Sequence, residues 1–230
     1  MIAAKIPPGE LVQSHGGCYA TTLGIDLAKR NTAERFKWFL AAILYGARIS
    51  EMLAARTWRE FAARDVLTPQ SIIETGWDGL VAILDAGGYV RYDYKTATKL
   101  LSVCTALMQD YGGNLDALHK AAADARDLET RLKVLGKGIG ETTVAIFLRE
   151  LRGIWAKAEP PLSPLAIAAA QALGYLRSDV VSSERALSKL KKLWATSGKP
   201  AAQFADFESA LVREGLRLRR LASRHTRAEV

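Results

Sequence analysis

Helical hydrophobic patterning constrains the fold of this chain more than any other feature of its sequence. Residues 36–45 are apolar on nearly all sides, as a central buried helix would be. Residues 50–63 have the spacing of an amphipathic helix, whose apolar positions are Met52, Leu53, Trp58 and Phe61. Alternating runs of β-branched residues, which would indicate strands, are almost absent. The sequence therefore predicts an all-α protein.

Helix boundaries follow from capping and breaking residues. Thr68 followed by Pro69 predicts a helix start with Thr68 as the N-cap, and Gly76 interrupts that helix. Further helices are predicted at 96–107 and 115–123. Short breaks separate these elements, at 87–88, 111–114, 136–140 and 159–164.

Length and composition bound the domain organisation and the class of protein. A length of 230 residues predicts one large domain or two small interdependent domains. No break is long enough to be a flexible linker between domains. Residues 1–30 look irregular before the helical body starts. A hydrophobic content of 49% supports a real core. The longest uncharged apolar run, 38–47, is about half of the roughly 20 residues that a membrane span needs. Residues 1–5 run directly into a proline pair, so no signal peptide and a cytoplasmic location are expected, at the nucleoid if the source is bacterial.

The cysteines and histidines argue against a metal centre. Cys18 and Cys104 are the two cysteines, too few for a disulfide-stapled fold, a Cys₄ zinc site or a Cys₄ iron–sulfur cluster. The three histidines lie far apart in sequence, at positions 15, 119 and 225. Neither a metal nor a cofactor is therefore expected.

Positive charge is concentrated towards the end of the sequence. The chain has 32 Lys+Arg and 24 Asp+Glu, a net charge of +8, and residues 176–230 hold 12 and 6 of these, or +6. The densest part is 213–227. This bias indicates either contact with phosphate or a solvated face of a terminal helix.

Residues 132–148 carry the one motif of the chain: a helix, a glycine-rich hairpin and a second helix. Gly138 and Gly140 let the backbone turn sharply and approach another surface. The backbone N–H groups that then lie free at the start of the second helix belong to Gly140, Glu141 and Thr142. The helix dipole favours an anion at this position.

A DNA phosphate is the natural ligand of such a hairpin. Lys137 and Thr143 can add side-chain donors to the phosphate. The alternative interpretation is an ordinary αα-hairpin closed by a glycine C-cap.

The hairpin resembles that of the HhH-GPD superfamily, the base-excision DNA glycosylases related to endonuclease III. Gly138-Ile139-Gly140 with Thr143 matches the G-[VI]-G-x-x-T portion of the family hairpin. Residues 162–174 are similar to the family's GPD segment in length and in their Leu-Gly ending. Upstream, segments 39–50 and 85–99 look like the family's L-L-S-x-Q-x-T helix end and its G-x-x-x-x-K-A turn.

The resemblance spans about residues 36–175 and implies a two-lobed helical fold with a DNA cleft between the lobes. A central six-helix barrel domain would occupy 36–145 and include the helix-hairpin-helix at about 128–150. Residues 1–35 and 150–230 would form a second helical domain. The implied partner is damaged double-stranded DNA, bound by a monomer without an iron–sulfur cluster.

The family's catalytic positions differ in this chain. The lysine that forms a Schiff base in bifunctional members falls at Thr142, and the aspartate of the GPD segment falls at Ser163. Glu159, close before Ser163, can supply a carboxylate, and Lys133 or Lys137 an amine if desolvated. The alternative, which the composition favours, is that Glu159 is a surface carboxylate and the two lysines are solvated.

Two further features suit a flipped base. Arg48 adjoins the position of the family's wedge glutamine and can fill the hole that the base leaves. The turn at 89–95 has the aromatic and charged composition of a base-binding site, although a polar turn explains it too. The predicted base-pocket residues are Tyr45, Tyr92, Asp93 and Lys95.

Together these features predict a DNA-repair protein that binds damaged duplex DNA and excises a base, or acts on abasic sites, with non-standard catalytic residues. Two alternatives stay open: a non-catalytic homologue that binds DNA or senses lesions, and a helical protein whose hairpin arises by chance.

Overall fold

Helices make up the regular structure of residues 6–29 and 31–228, which the computed structural model describes. The α-helices are α1 (Pro8–His15), α2 (Tyr19–Thr22), α3 (Thr32–Tyr45), α4 (Glu51–Ala63), α5 (Pro69–Ala86), α6 (Asp93–Tyr111), α7 (Leu115–Ala121), α8 (Ala125–Val134), α9 (Glu141–Glu150), α10 (Pro164–Ala172), α11 (Ser183–Thr196) and α12 (Phe204–Ala228). Short 3₁₀ turns lie at Leu27–Lys29 and Ala201–Gln203. No β-strand occurs in this part of the chain, so the all-α prediction is confirmed. None of these helices is long and apolar enough to cross a bilayer, and residues 1–5, which bear on the signal-peptide prediction, lie outside the described range.

The chain divides into two compact units. Unit 1 combines both chain ends, Met1–Thr22 and Arg149–Val230, and unit 2 is the continuous segment Leu23–Leu148. The sequence-based bounds are 36–145 for a central domain and 1–35 with 150–230 for the other.

Helix α3 forms the buried centre of unit 2. Asn31 caps it by accepting a hydrogen bond from the backbone N–H of Glu34, and its residues from Trp38 to Leu44 are almost wholly buried. The indole N–H of Trp38 donates to the carbonyl oxygen of Phe147 at 3.0 Å. The prediction of a central buried helix is confirmed.

Capping residues set the start of α5 as predicted. Thr68 and Ser71 form a reciprocal capping box at the start of α5, with Pro69 in the first turn. Gly76 has φ +68° and breaks the helical backbone inside α5. One predicted core position in the preceding helix is wrong, because Met52 is 80% exposed. It lies nine positions before Phe61, about half a turn around the helix from it.

The structure also corrects the start of α6. This helix begins at Asp93 rather than at residue 96. Asp93 and Lys95 therefore belong to its first turn instead of an irregular loop, and the N-cap residue Tyr92 makes no side-chain capping hydrogen bond. The carboxylate of Asp93 accepts a hydrogen bond from the N–H of Tyr94 at 2.6 Å.

Unit 1 has its own core, in which α10 packs on α12 and the rings of Trp194 and Phe207 stack at 5.3 Å. The prediction that residues 1–30 form an irregular arm is wrong for this segment, because α1 and α2 form there. Leu11 of α1 is fully buried in this core. The carboxylate of buried Glu150 accepts hydrogen bonds from the N–H groups of Tyr19 and Ala20, at 2.7 and 2.8 Å, and so holds the start of α2.

Candidate nucleic-acid interface

The hairpin between α8 and α9 is shaped by one glycine and anchored by one apolar side chain. Gly138 has φ +94°, in the left-handed region that favours glycine. The N–H of Ile139 donates to the carbonyl oxygen of Gly136 at 3.1 Å, and the Ile139 side chain is 5% exposed. Ile139 therefore fixes the hairpin to the interior, while the glycine backbone on either side of it stays exposed.

Helix α9 presents an open N-terminus at the end of this hairpin. Gly140 is exposed, has open space around its Cα, and accepts the first helical hydrogen bond from Val144 at 3.1 Å. The N–H groups of the following turn have no acceptor within α9, so the partial positive charge of the helix end faces outwards. The side chains of Glu141 and Thr142 flank it and are exposed.

Lys99 of α6 lies against the hairpin. A Cβ atom placed on Gly138 would lie 2.9 Å from the Cε and 3.5 Å from the Nζ of Lys99. The lysine is half-buried, and this burial lowers its pKa from the ordinary lysine value. Sequence reasoning missed Lys99 as a site residue, because its neighbour is remote in sequence and leaves no local signal.

The charges around the hairpin are mostly positive. Lys137 is exposed on the hairpin itself, and Lys133 of α8 lies 3.7 Å from the Glu141 carboxylate, which is 92% exposed. With Lys99 these groups carry three positive charges and one negative charge. The balance favours an anion at the start of α9.

Thr143 corrects one predicted phosphate contact. Its side chain is 3% exposed, and a Cβ on Gly46 would overlap the Thr143 hydroxyl. Thr143 therefore packs on the C-terminal end of α3 and does not present a donor at the surface. The same contact places the start of the loop 46–50, with its exposed Arg48, beside the first turn of α9.

The loop that carries Tyr92, one of the predicted base-pocket residues, lies next to another of them, Tyr45, at the same end of α3. The hydroxyl of Tyr89 donates to the carbonyl oxygen of Leu44 at 3.3 Å, which places the α5–α6 loop next to Tyr45. Tyr45 is half-buried, with its ring centroid 6.3 Å from that of Trp38. Burial of Tyr89 raises its pKa to about 12, so it acts as a neutral core donor.

The remaining pocket candidates differ in exposure. Tyr92 is half-buried, meets Tyr89 edge-on at 6.2 Å, and has the Arg91 guanidinium 5.6 Å above its ring. Desolvation, and then a hydrogen bond with the Asp93 carboxyl, raises the pKa of Asp85. Arg91 and Lys95 are exposed, and Asp93 is buried. This loop therefore offers one aromatic face and two cations.

Two of the predicted catalytic residues, Ser163 and Glu159, lie in unit 1 and have structural roles there. The Ser163 hydroxyl oxygen caps α10 by accepting a hydrogen bond from the N–H of Ala166 at 3.2 Å. The Glu159 carboxylate pairs with Arg152 at 2.8 Å and with Lys191 at 3.0 Å. Among the residues that the structure describes, no three histidine, cysteine, aspartate or glutamate side chains group to hold a metal ion.

Comparison with known protein families finds no family that matches this sequence, and a search of the curated proteins finds no match either.

Proposed function

We propose that this chain is a DNA-repair protein of HhH-GPD type that binds damaged double-stranded DNA through the hairpin of unit 2. One observation carries the proposal: the first turn of α9, the loop with Arg48 and the loop with Tyr92 adjoin the C-terminal end of α3. A phosphate-binding helix start, a candidate wedge and a candidate base platform thus adjoin within one unit. The two-lobed fold with a cleft belongs to the proposal and rests on the sequence resemblance.

The hairpin would hold a phosphate without reading sequence. Backbone N–H groups at the start of α9 would donate to phosphate oxygens, and Lys137 would add positive charge. Gly138 and Gly140 would let the phosphate approach, because neither carries a side chain. Arg48 would then enter the duplex and Tyr45 and Tyr92 would contact the everted nucleoside.

A matched pair of glycine variants tests hairpin binding. Gly140→Asp should weaken binding to a 30-base-pair duplex by roughly 2-fold to 30-fold, since it places negative charge at the helix start. Gly112→Asp makes the identical change in net charge at a second glycine with open space around it. Because the φ of +59° at Gly112 strains any side chain, Ala195→Asp at an exposed position of α11 is the second control, and circular dichroism verifies the fold of each variant. Fluorescence anisotropy at fixed salt measures all three. Equal affinities for Gly140→Asp and the two controls would remove the hairpin from the interface.

A second candidate function, cleavage at abasic sites, is favoured by Lys99. A Schiff-base lysine needs a neutral amine near the sugar, and burial next to Gly138 provides a lowered pKa beside the proposed phosphate site. Ser163 and Glu159 are engaged in a helix cap and in ion pairs, so we do not propose them as the reacting groups.

The chemistry of this candidate balances without a cofactor. The neutral Lys99 amine attacks the C1′ aldehyde of the ring-opened abasic sugar, a C–N bond forms and water leaves as the imine forms. Water then takes the C2′ proton, the electron pair forms a C=C bond, and the C3′–O bond breaks with the phosphate as leaving group. Hydrolysis of the imine restores the amine.

Borohydride trapping separates the catalytic from the non-catalytic form of the proposal. Wild type incubated with an abasic-site duplex should form a covalent adduct, Lys99→Gln should lose it, and Lys137→Gln should retain it. A protein that binds the duplex and forms no adduct would be a lesion-binding protein without lyase activity. An adduct that persists in Lys99→Gln would assign the chemistry to another amine.

A further inference from the structure

Helix α12 continues well beyond the core that it helps to form. Its residues from Phe204 to Val212 are largely buried, and Gly215 is the last buried position among those up to Arg224. Residues 216–228 extend the helix by about 20 Å at 1.5 Å per residue. This segment, the α12 extension, is half-buried at first and exposed from Arg219 to Arg224.

The charge of the α12 extension has one sign. Arg217, Arg219, Arg220 and Arg224 are exposed, and in the sequence no acidic residue lies between Glu214 and Glu229. Glu214 pairs with Arg217 through two hydrogen bonds, at 2.6 and 2.7 Å, so it neutralises the first arginine of the group. The charges of Arg219, Arg220 and Arg224 remain.

The arginines form a row on the helix. Arg217, Arg220 and Arg224 follow each other at intervals of three and four residues, which places them on one face, and Arg219 lies about 100° to the side of Arg220. Like charges at these intervals destabilise a helix, and a helical segment of this length is marginal in water on its own. A polyanion along this face would relieve the repulsion.

The charge density of the row corresponds to that of one DNA strand. From Arg217 to Arg224 the helix axis rises by about 10 Å, and a strand of B-DNA carries about three phosphates over that length. Guanidinium groups bind phosphate with two parallel hydrogen bonds, which suits a row of arginines better than a row of lysines.

We propose that the α12 extension is a second DNA-binding surface, on which Arg220 and Arg224 of the row and Arg219 beside the row contact backbone phosphates. This inference rests on the proposed DNA-binding function and adds a contact outside unit 2. An anionic membrane is less well matched, because the leucines of the extension, Leu216, Leu218 and Leu221, are few and no aromatic residue accompanies them.

The salt dependence of DNA affinity tests the proposal. The slope of log binding constant against log salt concentration decreases in magnitude by about 0.9 for each phosphate contact that is removed. The triple variant Arg219→Gln/Arg220→Gln/Arg224→Gln should therefore reduce the slope by about 2.7. Anisotropy titrations of an undamaged 30-base-pair duplex between 50 and 300 mM NaCl measure it.

Two matched variants serve as controls. Arg185→Gln/Lys189→Gln/Lys192→Gln removes the same charge from three exposed positions of α11 and should leave the slope within about one unit of the wild type. Arg219→Lys/Arg220→Lys/Arg224→Lys keeps the charge and should keep the slope, with affinity lowered by loss of the paired hydrogen bonds. Circular dichroism of each variant verifies the fold.

Each outcome has a distinct meaning. If the wild type fails to bind duplex DNA, the proposed function fails and this inference with it. The α12 surface is overturned, while hairpin binding stands, in either of two cases. In the first, the wild type binds DNA and the triple glutamine variant of Arg219, Arg220 and Arg224 keeps the wild-type slope. In the second, this variant and the α11 control variant lower the slope equally. Binding to phosphatidylserine vesicles that the arginine triple abolishes, with an unchanged DNA slope, would overturn it in favour of a membrane.

Discussion

The Nε of Arg152 lies 2.9 Å from the Oε2 of Glu208, and both side chains are 2% exposed. Arg152 also donates to Glu159 at 2.8 Å and to the carbonyl oxygen of Pro160 at 2.6 Å. One buried guanidinium thus joins α12 to the loop before α10. Removing only one partner of such a buried ion pair destabilises the fold, because the other charge is left buried without compensation.

Glu208→Gln should lower the free energy of unfolding by about 3 kcal/mol, and Arg152→Met by about 3–5 kcal/mol. The double variant Arg152→Met/Glu208→Met should lose less than the sum of the single changes, because it leaves no isolated charge. Urea denaturation measures all three. Asp179→Asn breaks an exposed pair, whose side chains are 83% and 67% exposed, and should change stability by less than about 0.5 kcal/mol.

Ser163 is predicted to be replaceable by aspartate without loss of stability. Asp caps a helix about as well as Ser, and its charge suits the N-terminus of α10. Ser163→Ala should lower the free energy of unfolding by about 1 kcal/mol, and Ser163→Asp should leave it unchanged or raise it. Chemical denaturation compares the two variants. A stability of Ser163→Asp below that of Ser163→Ala would contradict the capping role.

Ser163→Asp also restores the carboxylate that the family resemblance implies at this position. Under the proposed function, the variant should release a damaged base faster than the wild type on a panel of lesion duplexes. Ser163→Asn is the control, since it keeps the cap without the charge. Equal rates for the aspartate and asparagine variants would show that position 163 is not near the reacting sugar.

Glu141 is predicted to weaken anion binding in the wild type. Its exposed carboxylate lies at the start of α9 and 3.7 Å from the Lys133 ammonium. Glu141→Gln should raise affinity for duplex DNA by about 2-fold to 5-fold, because it removes a negative charge from the helix start. Glu184→Gln, at an exposed position of α11, makes the same charge change and should raise affinity less. Anisotropy in low salt reports both.

The pH dependence of adduct formation follows from the lowered pKa of Lys99. The neutral amine reacts, so trapping should increase as pH rises through the pKa of Lys99 and level off above it. Because burial lowers that pKa, the midpoint should lie below the ordinary lysine value of about 10.4. Trapping yields measured from pH 6 to pH 11.5 give the midpoint. A midpoint at or above about 10.4 would contradict Lys99 as the nucleophile.

Local patterns predicted local structure well. The apolar run 36–45, the Thr68 cap and the Gly76 break all appear where the sequence places them, because side-chain capping and helical periodicity act within a few residues. Met52 is an exception, because not every hydrophobic residue faces the core. The rotation of α4 places Met52 opposite the buried Phe61.

Tertiary neighbours account for what the sequence missed. Residues 8–22 have few helix signals of their own, and α1 starts at Pro8 without a side-chain cap. Its helix is stabilised by burying Leu11 against α12, far along the chain. Thr143 and Lys99 show the same limit at the candidate site, since their burial depends on Gly46 and Gly138 packing on other helices.

The joining of both chain ends in unit 1 has a consequence for biosynthesis. His15 contacts Glu214 at 2.8 Å across 199 residues of sequence, and Tyr19 contacts Glu150 across 131 residues. At translation rates of about 5–20 residues per second, His15 is synthesised about 10–40 s before Glu214. Helix α1 must therefore wait for its partners in unit 1, and during that interval Leu11 is a hydrophobic side chain available to chaperones.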